Sequence, residues 1–270
     1  MAIEEKALRH WIGNFYGYGS WQARTWFIDH EESGGEIPET VMEKINYFYK
    51  VHTATGTTLC DIRDLYRHIT VRPGEPKAHL FTNRYEYWFG SNAVQNTVWK
   101  NLLAFQNGYR DEKLPDFLEY QQYTFASPSA GNEVLIRLYP LPGPHSHAWY
   151  YSWLDLPELP FLKSRVLYEE HVYQHRMHII LSNIREYNPE VVLMYGMDNI
   201  NTLKKSIQQF FPGNQFKMVK ATKRQIPLHH RIDINGTTLL ITNQIPALKH
   251  KRIETGFDWE EFGRVVKSEA

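Results

Sequence analysis

The chain has a single cysteine among its 270 residues, no net charge and no long apolar run. One cysteine, Cys60, excludes an internal disulfide framework or a multi-cysteine zinc site and fits a reducing compartment. With 30 Lys+Arg against 30 Asp+Glu, global charge announces no polyanionic partner, so any nucleic-acid face has to be local. No segment approaches the roughly 20 consecutive apolar residues that span a bilayer. Met1 to His10 is charged and lacks the apolar core of a signal peptide. A soluble, cytoplasmic, monomeric protein without membrane association is expected. Internal repeats and low-complexity tracts are absent too.

What is present is aromatic and α/β in pattern. Aromatic residues make up 14% of the chain, many of them in segments rich in Gly, Pro and Asn, where they either line a groove or close a large core. The apolar run Thr25-Trp-Phe-Ile28 leads straight into the polar, glycine-ended stretch Asp29-His-Glu-Glu-Ser-Gly-Gly35. Sites at the carboxyl end of an α/β sheet are commonly built this way, with proton-transferring side chains at the strand end and glycines that let a ligand approach the backbone. Three later apolar runs end similarly: Val134 to Pro142, Val191 to Gly196 and Thr238 to Pro246.

Between these runs the spacing predicts helices over Ile37–His52, Cys60–Ile69, Gly90–Asn107, Phe161–Tyr187, Ile200–Phe211 and Asp258–Val266. Trp11 to Trp21 reads as a shaped loop, and Asn107-Gly108 as a helix stop. In the Phe161–Tyr187 helix, Val166, Val172, Ile179, Ile180 and Ile184 are spaced for burial. Glu133 to Tyr139 reads as a central strand, and Gln215–Ala221 and Arg231–Thr242 as further strands, the last broken by a hairpin-like Asn235-Gly236. This alternation predicts one α/β domain: a three-layer α/β/α sandwich with a mainly parallel sheet of four or five strands. Residues 53–87 are expected as an insertion packed beside it.

The ordered set of strand ends resembles the uracil-DNA glycosylase-like superfamily. Phe27-Ile-Asp-His-Glu-Glu-Ser-Gly-Gly35 stands in the place of its first motif, Ile136-Arg-Leu-Tyr-Pro-Leu-Pro142 in the second, Pro189-Glu-Val-Val-Leu-Met-Tyr-Gly196 in the third and Ile241-Thr-Asn-Gln-Ile-Pro246 in the fourth. The chain departs from the pattern where activity is decided. Asp29 replaces a glycine, Glu32 or Ser33 falls where proline is usual, Arg137 stands where a base-reading Asn is found, and Asn243-Gln244 replaces a His. Arginine offers donors only, so it does not match a uracil edge.

The resemblance implies a DNA partner and metal-independent cleavage of an N-glycosidic bond, with no cofactor, after a base has been flipped into a pocket. Glu31 lies where several of these families place a water-positioning carboxylate or amide, and His30 where another places Glu; with Asp29 they form the candidate catalytic set. All three are equally readable as loop-capping groups. Asn243 or Gln244 would donate to the leaving base or simply bond its own turn. Arg137 would clamp a phosphate or read a base edge, or else pair with an internal carboxylate. Tyr139 belongs to the same strand end. His145 and His147 follow the second strand's Pro turn and are candidate proton donors. Tyr16 and Tyr18, like Trp88 and Phe89, would stack on a base or close the core.

His171, His175 and His178 share one side of the long helix without an accompanying carboxylate motif, and no metal is assigned to them. Basic clusters at Lys217–Arg224, His229–Arg231 and Lys249–Arg252 either track phosphates or form a solvated face. A non-catalytic nucleic-acid-binding module and a small-molecule hydrolase are the alternative functions.

Overall fold

The computed structural model describes residues 3–31, 38–53, 55–71, 74, 77–143, 149–154, 156–221, 226–247 and 257–269. The first helix, α1 (Glu5–Asn14), buries Ala7, Leu8, Trp11 and Ile12, a stripe at helical spacing. Trp11 to Trp21 is therefore not a single loop; it holds the end of this helix and a short strand, β1 (Gly17–Tyr18). Strand β2 (Thr25–Glu31) and helix α2 (Pro38–His52) follow, and α2 turns Val41, Ile45 and Phe48 to the core. Residues 53–87 contribute strand β3 (Leu59–Cys60) and helices α3 (Ile62–Tyr66) and α4 (Arg84–Phe89). The helix expected from Cys60 is shorter because Leu59 and Cys60 pair with β1, and Asp61 caps the turn that follows.

Helix α5 (Thr97–Arg110) and helix α6 (Phe117–Tyr123) precede strand β4 (Glu133–Tyr139). Then come helix α7 (Arg165–Tyr187), strand β5 (Val191–Tyr195), helix α8 (Ile200–Phe210), strands β6 (Lys217–Val219), β7 (His229–Ile234) and β8 (Thr237–Ile241), and helix α9 (Trp259–Ser268). The buried stripe of α7 begins only at Tyr168. Val166, expected to be buried, lies in the first turn and is 63% exposed.

The strands form one mixed sheet in the order β3-β1-β4-β2-β5-β8-β7-β6. Its centre, β4-β2-β5-β8, is parallel throughout, so four carboxyl ends share one edge. The sheet is wider than the four or five strands expected because antiparallel neighbours extend both sides: β1 against β4, then β7 and β6 beyond β8. Every residue of β4 and β5 is buried, as central strands require. The β7–β8 hairpin turns at Asn235-Gly236, with φ of 50° and 89°, the left-handed pair of a type I′ turn. Among the described residues, no helix is long and apolar enough to cross a membrane.

Helix α5 starts after Gly90 because Asn96 caps it, accepting from the N–H groups of Val98 and Trp99. It also runs through Asn107-Gly108 to a left-handed Asp111. Gly108 is a contact rather than a stop: a Cβ there would collide with the Glu260 carbonyl, and one at Gly263 with the Phe105 carbonyl. Two facing glycines thus let α5 and α9 pack backbone to backbone. On α7, the fully buried Arg176 donates to the carbonyls of Leu138 (2.6 Å), Arg137 (2.7 Å), Phe15 (3.0 Å) and Ile12 (3.3 Å). That guanidinium fixes the end of β4, and with it the position of the edge where β2 also ends.

Candidate functional site

The β2 strand does not stop where its apolar residues do. Asp29 pairs in register with Arg137 of β4 and Tyr195 of β5, and β4 alone carries the pairing on to Glu31, opposite Tyr139, so the strand extends through three polar residues. Asp29, His30 and Glu31 are therefore strand residues, not loop-capping groups. All three line a cavity of about 250 Å³ at the carboxyl edge of the parallel strands, together with Arg165, Tyr195, Asp198 and Asn243. A larger depression, about 620 Å³, opens elsewhere between Trp21, Thr58 and Asp61. The smaller cavity is the better site candidate, because it alone gathers the strand ends with His30 and Glu31, both shifted in acidity.

Glu31 is the centre of the cluster. Its Oε2 accepts from Arg165 Nη2 at 2.7 Å, while Arg165 Nε donates to Glu169 Oε1 at 2.8 Å. Burial pushes the Glu31 carboxyl up from 4.5 to about 6, and Glu169 adds to the rise; Arg165 and a hydrogen bond from the Gly143 backbone only partly oppose it. Gly143 is a close-approach position. A Cβ there would lie 2.9 Å from Arg165 Nη1 and 3.3 Å from Glu31 Oε1, so any larger residue would press on the ion pair. His30 moves the other way: burial lowers its pKa and Arg165 adds to the effect, while Glu169 and Asp198 oppose it. Its ring lies 4.7 Å from that of Tyr139. A carboxyl held near neutrality beside a neutral imidazole can take or give a proton at physiological pH.

Asp29 has a different role. It forms a buried ion pair with Arg137, and its Oδ2 also accepts from the Tyr195 hydroxyl at 3.2 Å. Arg137 is thereby committed to an internal carboxylate rather than to a phosphate or base edge. At the fourth strand end, Asn243 is exposed at the cavity while Gln244 Nε2 turns to Asn243 Oδ1 at 3.0 Å. The β5 and β8 ends are laced together by Gly196 N–H to Gln244 O and Met197 N–H to Thr242 O, both at 3.1 Å.

Other expected residues lie apart from this cluster. Tyr16 and Tyr18 are core residues, 2% and 0% exposed, with the Tyr16 ring 4.0 Å from the Arg176 guanidinium, so neither offers a free face to a ligand. Phe89 is buried against Trp99, and Trp88 is packed on the same ring. His171 stacks on Phe161 and His178 meets the edge of Phe210, so these two histidines face different neighbours. The positions assigned to His145 and His147 fall outside the described residues, as do Glu32 and Ser33.

Arg165 and Glu169 escape a reading of the sequence, because nothing local ties the start of a long helix to the end of a distant strand. Their i,i+4 spacing is visible, but it is shared with any solvated helix pair. Comparison with protein-family models, with curated proteins and with solved structures gives no match in any of the three.

Proposed function

We propose that this chain is a divergent member of the uracil-DNA glycosylase-like superfamily that holds a nucleobase in the strand-end cavity and hydrolyses its N-glycosidic bond. One observation carries the reading. Glu31 stands at the carboxyl end of a central parallel strand, inside a small cavity, with its carboxyl pushed up to about 6. At about 250 Å³ the cavity lies below the roughly 300–1,000 Å³ of sites for drug-sized ligands, a size suited to a single base.

In support, the four strand ends that carry the resemblance fall on four adjacent parallel strands, β4-β2-β5-β8, with their carboxyl ends on one edge. The reading includes a three-layer α/β/α arrangement. It is consistent with the buried faces of β4, with the Phe27 ring 6.3 Å from Phe105 of α5, and with Arg176 of α7 reaching the carbonyls of β4.

In this mechanism the bond between C1′ and the base nitrogen breaks, and its electron pair leaves with the base. The Glu31 carboxylate faces the cation-like sugar and takes a proton from the attacking water, whose oxygen bonds to C1′. Neutral His30 shares the proton load, and the Asn243 amide donates to the departing base. Arg165 is a positioning residue that holds Glu31 through their ion pair. Arg137 takes no part in base reading, since it is bound to Asp29.

A second reading, a nucleic-acid-binding module without chemistry, is favoured by the fourth strand end, where Asn243-Gln244 stands in place of a histidine and the Gln244 amide donates to Asn243 Oδ1. Labelled duplexes and single strands carrying uracil, hypoxanthine, xanthine or alkylated bases separate the two. Alkali-revealed abasic sites that vanish in Glu31→Gln support hydrolysis. Binding without abasic sites in either protein overturns it in favour of the module.

A further inference from the structure

The chain is electrically neutral as a whole, but its charge is not evenly spread. Between Asp198 and Asp233 it carries seven of its 30 lysines and arginines and none of its 30 aspartates and glutamates. The fold gathers part of this stretch onto one face. Helix α8 begins at Ile200, just past Asp198 at the cavity mouth, and buries Leu203 and Ile207. Its outer side forms an open groove of about 420 Å³ lined by Asn201, Lys204, Lys205, Gln208 and Gln209, two ammonium groups and three amides with no carboxylate among them.

The next element continues the face. Lys204 Nζ lies 5.7 Å from the Phe216 ring, next to edge strand β6, on which Lys217 is exposed; Lys220 is exposed just beyond it. Met218 of β6 pairs with His230 of β7, whose pKa is lowered by burial and by the Lys204 charge. Arg231 is not part of this surface. Its guanidinium is engaged by Asp233 and by the Val266 carbonyl.

We infer that the outer face of α8 and the adjoining β6 edge form a track for a nucleic-acid phosphate backbone that leads from the mouth of the strand-end cavity. The inference rests on the DNA-directed part of the proposed function, but not on its chemistry. Ammonium groups meet phosphates as point charges, while the Asn and Gln amides donate hydrogen bonds to phosphate or sugar oxygens without reading sequence. With no carboxylate in the groove, a bound polyanion meets no repulsion there. An edge strand bearing lysines is also discouraged from pairing with another strand, which leaves its face to a ligand.

The test is fluorescence anisotropy of labelled, undamaged single strands and duplexes across a salt series. It compares the wild type with Lys204→Gln/Lys205→Gln, Lys217→Gln/Lys220→Gln and a charge-matched control, Lys100→Gln/Lys113→Gln, at exposed lysines elsewhere. Each lysine that meets a phosphate contributes about 0.9 to the slope of log K against log salt on duplex DNA and about 0.7 on single strands. Either double variant on the track is therefore expected to bind about tenfold more weakly near 0.15 M salt, with a slope lower by about 1.5, while the control binds as wild type.

Equal losses in all three variants, or none in the track variants, would overturn the assignment. So would binding to vesicles containing anionic phosphatidylserine but not to oligonucleotides. Intact track-dependent binding without base excision would sink the hydrolase reading and leave the track standing. Excision that is unaffected by the track variants in both rate and salt dependence would do the reverse.

Discussion

Glu31→Gln separates two properties of the candidate base, its acidity and its effect on stability. In the folded chain burial raises the Glu31 carboxyl from 4.5 to about 6, and its side chain is 16% exposed, so little solvent screening intervenes. The folded state therefore holds this proton more tightly than the unfolded chain. The stability it contributes is complete below about pH 4.5 and is lost as pH rises through about 6. At 1.36 kcal/mol per tenfold change in proton affinity, the ionised carboxylate costs the fold about 2 kcal/mol by pH 7.5. Gln imitates the protonated acid and cannot ionise. Denaturant unfolding of both proteins from pH 4 to 7.5 should show the difference in stability moving by about 2 kcal/mol in favour of the variant as pH rises, with its midpoint between 4.5 and 6. Titrations common to both proteins cancel in this comparison. A difference that stays flat with pH, or moves in favour of the wild type, would refute the view that desolvation dominates at Glu31.

Arg165→Met removes the cation that opposes that desolvation, so the Glu31 titration, followed by the carboxyl carbon shift in NMR, should move to higher pH; a move to lower pH would count against the pairing. Arg137→Leu leaves the Asp29 carboxylate buried without its partner and should lose about 3–5 kcal/mol in urea unfolding, while adding Asp29→Leu should recover most of it. Gly263→Ala forces a Cβ into the Phe105 carbonyl where α9 meets α5, and should lower stability by about 1–3 kcal/mol, read as a fall in melting temperature; an unchanged midpoint would mean the two helices can separate freely.

Elements whose signal is carried by burial were legible in the sequence. β4 and β5 are apolar without interruption because both of their faces are covered, and α2, α7 and α8 show their buried stripes at helical spacing. Asn235-Gly236 announces its turn because few other pairs accept two successive left-handed residues. Elements made by partners were not legible. β1 and β3 are too short to show any period and exist because each finds an edge to bond. β2 looked as if it ended at Ile28, since polarity hides a strand whose last residues are held by pairing with β5 as far as Asp29 and with β4 as far as Glu31. Gly108 looked like a stop because a glycine that ends a helix and a glycine that admits another helix are the same letter.

The candidate site divides along the same line. Asp29 and Glu31 lie on one strand, two positions apart, and nothing in their local sequence distinguishes them. Their neighbours do. Arg137 faces Asp29 in the register of β4 and Tyr195 faces it from β5, so its charge is answered inside the sheet and serves to hold three strands together at the cavity floor. Glu31 stands farther along, where β5 no longer pairs with the strand, and is met by Arg165, which it shares with Glu169. One cation between two carboxylates leaves part of the negative charge unanswered, and burial then makes the proton the remaining way to neutralise it. The position just beyond the last fully paired strand register is thus where a reversible proton can reside, while the position below it is fixed by its ion pair.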